Sequence, residues 1–159
     1  ILGHALGRPV AFMAKSELFR IPILSFIISA CGAYPVKRGA GDREALRTAS
    51  NRLIQGWATG VFLDGTRQNN GRVNDPKPGA ALLAARTGCP ILPVAICNSH
   101  KAFPKGSFLP RFVSIQLKVG QIIQPPSTRK REDLVSTTKD IQLAINSMLD
   151  KGIIKDKFN

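Results

Sequence analysis

The chain has 159 residues, room for one domain with a real hydrophobic core. Its 23 Lys and Arg against 10 Asp and Glu give a formal net charge of +13 and a pI near 10.4. An excess this large points to an anionic partner, such as lipid headgroups, nucleic acid or an acidic carrier protein, rather than to a merely solvated face. The charge is also segregated: no carboxylate occurs between Asp75 and Glu132, whereas cations continue from Lys77 to Arg131. Cys31, Cys89 and Cys97 are odd in number and sit among apolar neighbours, without Cys-x-x-Cys or Cys/His ligand spacing. They read as buried thiols of a reducing compartment, and a zinc site is not expected.

In chain order, Val10 to Met13 reads as a strand, and Ser16-Glu17 opens a helix that tolerates Pro22 only with a kink or an early break. The longest uncharged run, Ile21 to Val36, covers 16 residues and contains Pro22, Gly32 and Pro35. It is shorter than the roughly 20 apolar residues that span a bilayer. No small-residue cleavage site follows it, so a signal peptide is not expected. Two readings of the helix from Glu17 to Ala30 stay open. It is a buried core helix, or an interfacial one, since Leu18, Phe19, Ile23, Leu24, Phe26, Ile27 and Ile28 exceed what one face needs.

Tyr34 to Lys37 is a second strand. Asp42 caps a helix to Trp57, with Leu46, Ala49, Leu53, Ile54 and Trp57 inward and Arg43, Arg47 and Arg52 outward. Val61 to Leu63 is a third strand. Turn signals at Asn69-Asn70-Gly71 and Asn74-Asp75-Pro76 mark a polar loop from Gln68 to Pro78. A small-residue helix, Gly79 to Thr87, ends at Gly88. Ile91 to Cys97 is apolar on both faces, as in a central buried strand. Val113 to Val119 alternates, with Val113, Ile115, Leu117 and Val119 on one face, which suits a sheet edge. Pro125-Pro126 is a break, and Arg131 to Leu149 forms an amphipathic helix with Leu134, Ile141, Ile145 and Met148 inward. Strands alternating with helices predict a single α/β domain over residues 1–159, three-layered, with a mixed, mostly parallel sheet flanked by helices. Repeats, low-complexity tracts and a second domain are not expected.

Two strand-end turns carry the chemistry. In Phe62-Leu63-Asp64-Gly65-Thr66-Arg67, apolar residues run into an acid, a glycine, a hydroxyl and an arginine. Such a turn presents backbone N–H groups beside a guanidinium, which suits a phosphate. Ala33-Tyr34-Pro35-Val36-Lys37-Arg38-Gly39 has the same form with paired cations. In parallel α/β sheets ligands sit beyond the carboxyl ends of the strands, so the two turns suggest one anion site.

The order of these turns, followed by Lys77-Pro78-Gly79-Ala80-Ala81 and by Ile91-Leu92-Pro93-Val94-Ala95-Ile96, resembles the glycerolipid acyltransferases, nearest the branch acting on 1-acylglycerol-3-phosphate. The resemblance runs from about Arg8 to Gly120. It implies that Lys37, Arg38 and Gly39 meet the acceptor's phosphate and that Asp64, Gly65, Thr66 and Arg67 also contact the glycerol phosphate. Pro93 would help shape the acyl side. Leu63 and Asp64 stand where the family usually has Pro and Glu, and Asp64 reaches one methylene less far. The implied reaction moves a fatty acyl group from acyl-carrier protein or acyl-CoA to the sn-2 hydroxyl of lysophosphatidic acid, making phosphatidic acid. It needs no cofactor and no metal. The implied setting is the cytoplasmic face of an anionic membrane, held peripherally or through segments near the N-terminus.

The family's catalytic pair, a His followed five positions later by an Asp, is absent. His4 is followed at that spacing by Pro9, and His100 by Lys105. Both are expected to be surface or loop histidines, since a base also needs an orienting partner. By the resemblance the pair belongs just before Ile1, so no catalytic residue is expected in this chain. It reads as an N-terminally truncated domain, nearly inactive by itself. The rival reading is a non-catalytic basic module that binds anionic lipid or nucleic acid. Nucleic acid is disfavoured, because aromatic residues are only 6% of the chain and lie in apolar runs rather than between cations.

Overall fold

The computed structural model describes residues 7, 9–36, 43–64, 68, 70–102 and 111–151. The chain divides into two compact units, Ile1–Val61 and Phe62–Asn159.

In the first unit, β1 (Val10–Lys15) is the middle strand of a three-stranded parallel sheet, between β2 (Ala33–Val36) and β3 (Ala58–Gly60). Val10 and Ala11 are buried, so the start of β1 lies in the unit's core. A 3-10 turn, Ser16–Arg20, follows β1, and α1 (Pro22–Ala30) starts afresh with Pro22 in its first turn. That is the early break expected at this proline, which has no N–H to continue a helix but fits its first position. The chain then turns at Gly32, whose φ is +81°. A Cβ there would meet the Trp57 ring at 2.9 Å and the Val10 carbonyl at 3.2 Å, so only glycine lets β2 start this close.

Helix α2 (Arg43–Ile54) packs on this sheet through Ala45 and Ala49, both buried. The helix was expected from residue 42, which lies outside the described residues. Its inward face differs from the expected one. Ile54 is exposed, and Arg52 is not outward: its guanidinium lies 5.0 Å from the centre of the Trp57 ring. The short alanine side chains bring the helix close to the sheet, and the arginine stem covers the ring that follows. β3 also ends sooner than expected. Val61 and Phe62 are outside any strand, and Leu63-Asp64 already form a turn.

In the second unit, α3 (Gly79–Thr87) has the expected bounds and buries Ala81, Leu83 and Ala84. Gly88, at φ +68°, closes it by donating its N–H to the Ala84 carbonyl at 2.8 Å. The run from Ile91 is not one continuous strand. Ile91 forms an isolated antiparallel bridge with Ile123, Pro93 has no N–H to give, and β4 begins only at Val94 (Val94–Cys97). Nor is β4 the central strand expected: among the described residues its partner is β5 (Gln116–Val119), antiparallel. Among the described residues the three-stranded sheet is parallel and the two-stranded one antiparallel, so parallel pairing predominates in this α/β chain, as expected.

A single turn, α4 (Ser99–Ala102), follows Asn98, which adopts a left-handed φ of +62°. Val113 and Val119, on the segment expected to suit a sheet edge, are exposed, and among the described residues β5 pairs with β4 alone. Helix α5 (Arg131–Asp150) packs on β4. Helix α5 buries Ile141 together with Thr137 and Thr138. Thr138 is accommodated by donating its hydroxyl to the Leu134 carbonyl one turn back, at 2.6 Å. The cysteines do not form the uniformly buried set expected: Cys97 is buried, Cys89 is half-buried, and Cys31, at the end of α1, is exposed.

Tyr34 is buried on β2, and its hydroxyl has no hydrogen-bond partner among the described residues. Burial disfavours the phenolate and pushes its pKa up to about 12, against a smaller opposing effect of Arg52. The folded state thus keeps this proton to higher pH than the unfolded chain, whose phenol titrates near 10.0. This contribution to stability is complete below pH 10 and is lost between pH 10 and about 12, at up to about 1.4 kcal/mol per pH unit. Denaturant titrations across that interval should show a steeper fall for the native sequence than for Tyr34→Phe. Parallel curves would show that Tyr34 titrates alike in both states.

Candidate functional site

Of the residues expected to bind the acceptor, Asp64 lies among the described residues. Lys37, Arg38, Gly39, Gly65, Thr66 and Arg67 lie outside them, as does His4. The strand expected before Lys37 is present, since β2 runs to Val36.

Asp64 is buried, with 8% of its surface exposed. Its Oδ2 accepts the backbone N–H of Asn74 at 2.9 Å, and its Oδ1 accepts that of Asp75 at 3.2 Å. The preceding carbonyl, of Leu63, accepts the Lys77 N–H at 2.8 Å. A buried carboxylate stands a long way from water, and these two N–H donors are what make its burial tolerable. One acid thereby ties the polar loop, through Asn74 and Asp75, back to residue 64.

Gln68 is tied to the same loop. The Asn74 side-chain amide donates to the Gln68 Oε1 at 3.2 Å and to the Asn70 Oδ1 at 3.1 Å. The Asn70 Oδ1 also accepts the Arg72 N–H at 3.0 Å, and Gly71 turns the chain at φ +70°. This is the asparagine-rich turn that the sequence marked, and both Asp64 and Gln68 accept hydrogen bonds from Asn74.

Sequence reading missed the next layer. On α5, the Asn146 side chain pairs with both backbone groups of Val73: its Oδ1 accepts the Val73 N–H and its Nδ2 donates to the Val73 carbonyl, each at 3.0 Å. The same carbonyl accepts the Gln142 Nε2 at 3.0 Å. One further turn along, the Asp150 carboxylate forms an exposed ion pair with Arg72. The hydrogen bond from Arg72 holds the Asp150 carboxyl below its ordinary range and raises the guanidinium in return. Gln142, Asn146 and Asp150 lie four apart, so they form one stripe beside the apolar face. Two uncharged amides at that spacing, next to Ile141 and Ile145, were the available signal.

Pro93 is fully buried. Its carbonyl accepts the Gly120 N–H at 2.9 Å, which joins it to the start of the segment after β5. The Lys118 ammonium, one of the cations in the carboxylate-free stretch, donates to the Met148 carbonyl at 2.9 Å near the end of α5. Among the described residues no group of three or more His, Cys, Asp or Glu is arranged to hold a metal ion.

Helix α1 buries none of its residues. Ile23 and Phe26 are 78% and 77% exposed, and Ile21 and Ile27 lie beside them, also exposed. Of the two readings of this segment, the buried core helix is therefore not what forms. No helix among the described residues is long and apolar enough to cross a membrane.

The role of Asp64 is testable by stability alone. Asp64→Ala should cost about 1–3 kcal/mol, because two loop N–H groups lose their acceptor, and Asp64→Asn should cost less, because one acceptor oxygen remains. Chemical denaturation checks both. Equal, negligible losses would mean that water replaces the carboxylate at no cost.

Comparison with known proteins gives this geometry its context. The family described as Acyltransferase matches residues 1–97. The 1-acyl-sn-glycerol-3-phosphate acyltransferase BAT2 of Brassica napus is 31% identical over 105 residues, which are 65% of this chain and 30% of that protein. The 1-acyl-sn-glycerol-3-phosphate acyltransferase of Borreliella burgdorferi is 28% identical over 145 residues, covering 86% of this chain and 56% of that protein. The chain thus spans about a third to just over half of these relatives. The crystal structure of the 1-acyl-sn-glycerophosphate (LPA) acyltransferase PlsC from Thermotoga maritima superimposes with a TM-score of 0.73 at 26% identity, over 93% of this chain and 59% of that one. The family match includes both basic turns and the loop that Asp64 organises, and on that ground the chain belongs to the glycerolipid acyltransferase family.

Proposed function

We propose that this chain is the acceptor-binding part of an O-acyltransferase that transfers a fatty acyl group from acyl-CoA or acyl-carrier protein to the sn-2 hydroxyl of 1-acylglycerol-3-phosphate. The observation that carries this reading is the family match across residues 1–97, which contains both phosphate-suited turns in order. The names of the relatives from Brassica napus and Borreliella burgdorferi support the acceptor.

Lys37, Arg38 and Arg67 bind the phosphate, each charge-assisted hydrogen bond contributing about 1.5–3 kcal/mol. Gly39, Gly65 and Thr66 add backbone N–H groups and a hydroxyl. Asp64 acts one step back, holding the loop that flanks this turn, and Pro93 shapes the acyl side. The acceptor hydroxyl oxygen attacks the thioester carbonyl, the C–S bond breaks, and the thiol leaves with the proton that a base took from the hydroxyl. Neither a metal ion nor a covalent enzyme intermediate is required. The base is the His of a His-x4-Asp pair, which neither His4 nor His100 forms. Without such a base turnover falls by about a hundred- to ten-thousandfold. The exposed apolar side of α1, with the net charge of +13, rests on an anionic membrane surface on its cytoplasmic side.

Acyl transfer from a radiolabelled thioester to lysophosphatidate should be strong for a version extended upstream through the His-x4-Asp pair and nearly absent for this chain. In the extended version, Arg67→Ala should raise the acceptor KM about tenfold or more and leave the donor KM unchanged. No transfer in either version, with tight binding to anionic vesicles, would replace this reading by a lipid-binding module. For the membrane contact, Ile23→Ser with Phe26→Ser should cut cosedimentation with anionic vesicles several-fold. Undiminished binding would remove α1 from that role.

A further inference from the structure

We infer that the outer face of α2, formed by Arg43, Arg47, Asn51 and Ile54, is the docking surface for the acidic acyl-carrier protein that delivers the donor thioester. The inference rests on the functional reading above and chooses between the two donors it names.

The four residues share one side of the helix. At about 3.6 residues per turn they fall within about 80° of one another, away from Ala45 and Ala49, which hold α2 on the sheet. All four are exposed, Ile54 by 77%. The stripe is roughly 16 Å long, the scale of a helix laid against it. Two arginines four apart on an exposed face repel each other slightly. Glu44, the one carboxylate of α2, stands at the edge of this face, and among the described residues neither Arg43 nor Arg47 forms an ion pair. The stripe therefore offers its charge outward.

Topology separates this face from the one that meets lipid. The chain passes from β1 through α1 to β2 on one side of β1, then through α2 to β3 on its other side. Crossovers between parallel strands are right-handed, so two that move in opposite directions along a sheet put their helices on opposite faces. Helix α1, uncharged and with Ile23 and Phe26 uncovered, thus lies across the sheet from α2. With α1 on the membrane, Arg43 and Arg47 face the aqueous side, where an anionic partner must be soluble. A small anion such as coenzyme A needs a concave site with converging groups, and an exposed helix face is convex. A second copy seated here about a two-fold axis would set arginine against arginine. An acidic protein fits on both counts. It gains from long-range attraction to the cations, and Ile54 supplies an apolar contact at the end of the stripe.

The position along the helix also suits a carrier. A crossover helix runs back against its strands, so the Arg43 end of α2 lies toward the carboxyl ends of β2 and β3. Ligands of parallel α/β sheets sit at that end. A carrier held by Arg43 and Arg47 therefore stands where its acyl arm is needed.

The test pairs binding with kinetics. On the full 159-residue chain, binding of acyl-carrier protein bearing a long-chain acyl thioester should weaken about tenfold or more in Arg43→Glu with Arg47→Glu. Cosedimentation of that variant with anionic vesicles should be unchanged. Arg43→Gln with Arg47→Gln, milder for folding, should fall between, and circular dichroism checks that each variant is folded. In the version extended upstream, charge reversal should raise KM for the acyl-carrier thioester about tenfold and leave kcat and the KM of acyl-CoA alone. Equal carrier binding by native and charge-reversed chains would overturn the inference. A KM rise shared by acyl-CoA would also overturn it, making the stripe a coenzyme A site, as would loss of vesicle binding alone, making it a lipid surface. If the extended version transfers from acyl-CoA and never from the carrier, the inference alone fails. If it transfers from neither, the functional reading fails and this inference with it.

Discussion

The Asp64 carboxylate with its two backbone donors is the interaction on which the rest of the described site depends. A carboxylate with 8% of its surface exposed is tolerated only when its oxygens are occupied, and here both are taken by N–H groups of one loop. The loop must therefore return to the residue that precedes the Gly65-Thr66-Arg67 turn. Where the family usually carries a glutamate, the shorter acid still reaches because the loop comes to it. In this chain the acid of the motif anchors the loop that returns to it.

The second unit is arranged so that this loop has something rigid to lean on. Helix α5 packs on β4 and on α3, buries Ile141, and hides two threonine hydroxyls, one of them satisfied inside the helix. Its flank carries Gln142 and Asn146, which close the backbone of Val73. The Arg72–Asp150 pair lies farther out and is exposed, so it contributes little and is weakened by salt. The uncharged amides carry the attachment, since partly buried hydrogen bonds are not screened as exposed ion pairs are.

Much of the architecture was legible before any coordinates. Gly79–Thr87 and its closing glycine, the break at Pro22 and the long terminal helix all follow from local rules of capping, proline chemistry and apolar spacing. The misreadings share one cause. Arg52 was placed outward and Ile54 inward, and Cys31 was placed in the core. Each of these depends on which element covers which, and hydrophobicity along a strand or helix does not report whether a partner is present. The exposed side of α1 is the same lesson in reverse: an apolar run left two readings open, and only packing showed that its Ile23 and Phe26 stay uncovered.

For the site, the sequence by itself determined the residue types that suit a phosphate and their order, because a turn of cation, glycine and hydroxyl after an apolar segment is a local pattern. It also determined the family, since those motifs recur in order. Only the tertiary structure decided what holds Asp64 and the loop that returns to it. Asp64 is 10 and 11 residues from the N–H groups it accepts, and Asn146 and Gln142 are 73 and 69 residues from the peptide they grip. Hydrogen bonds across such separations leave no period in the chain; they exist only once the core has brought α5 alongside the loop.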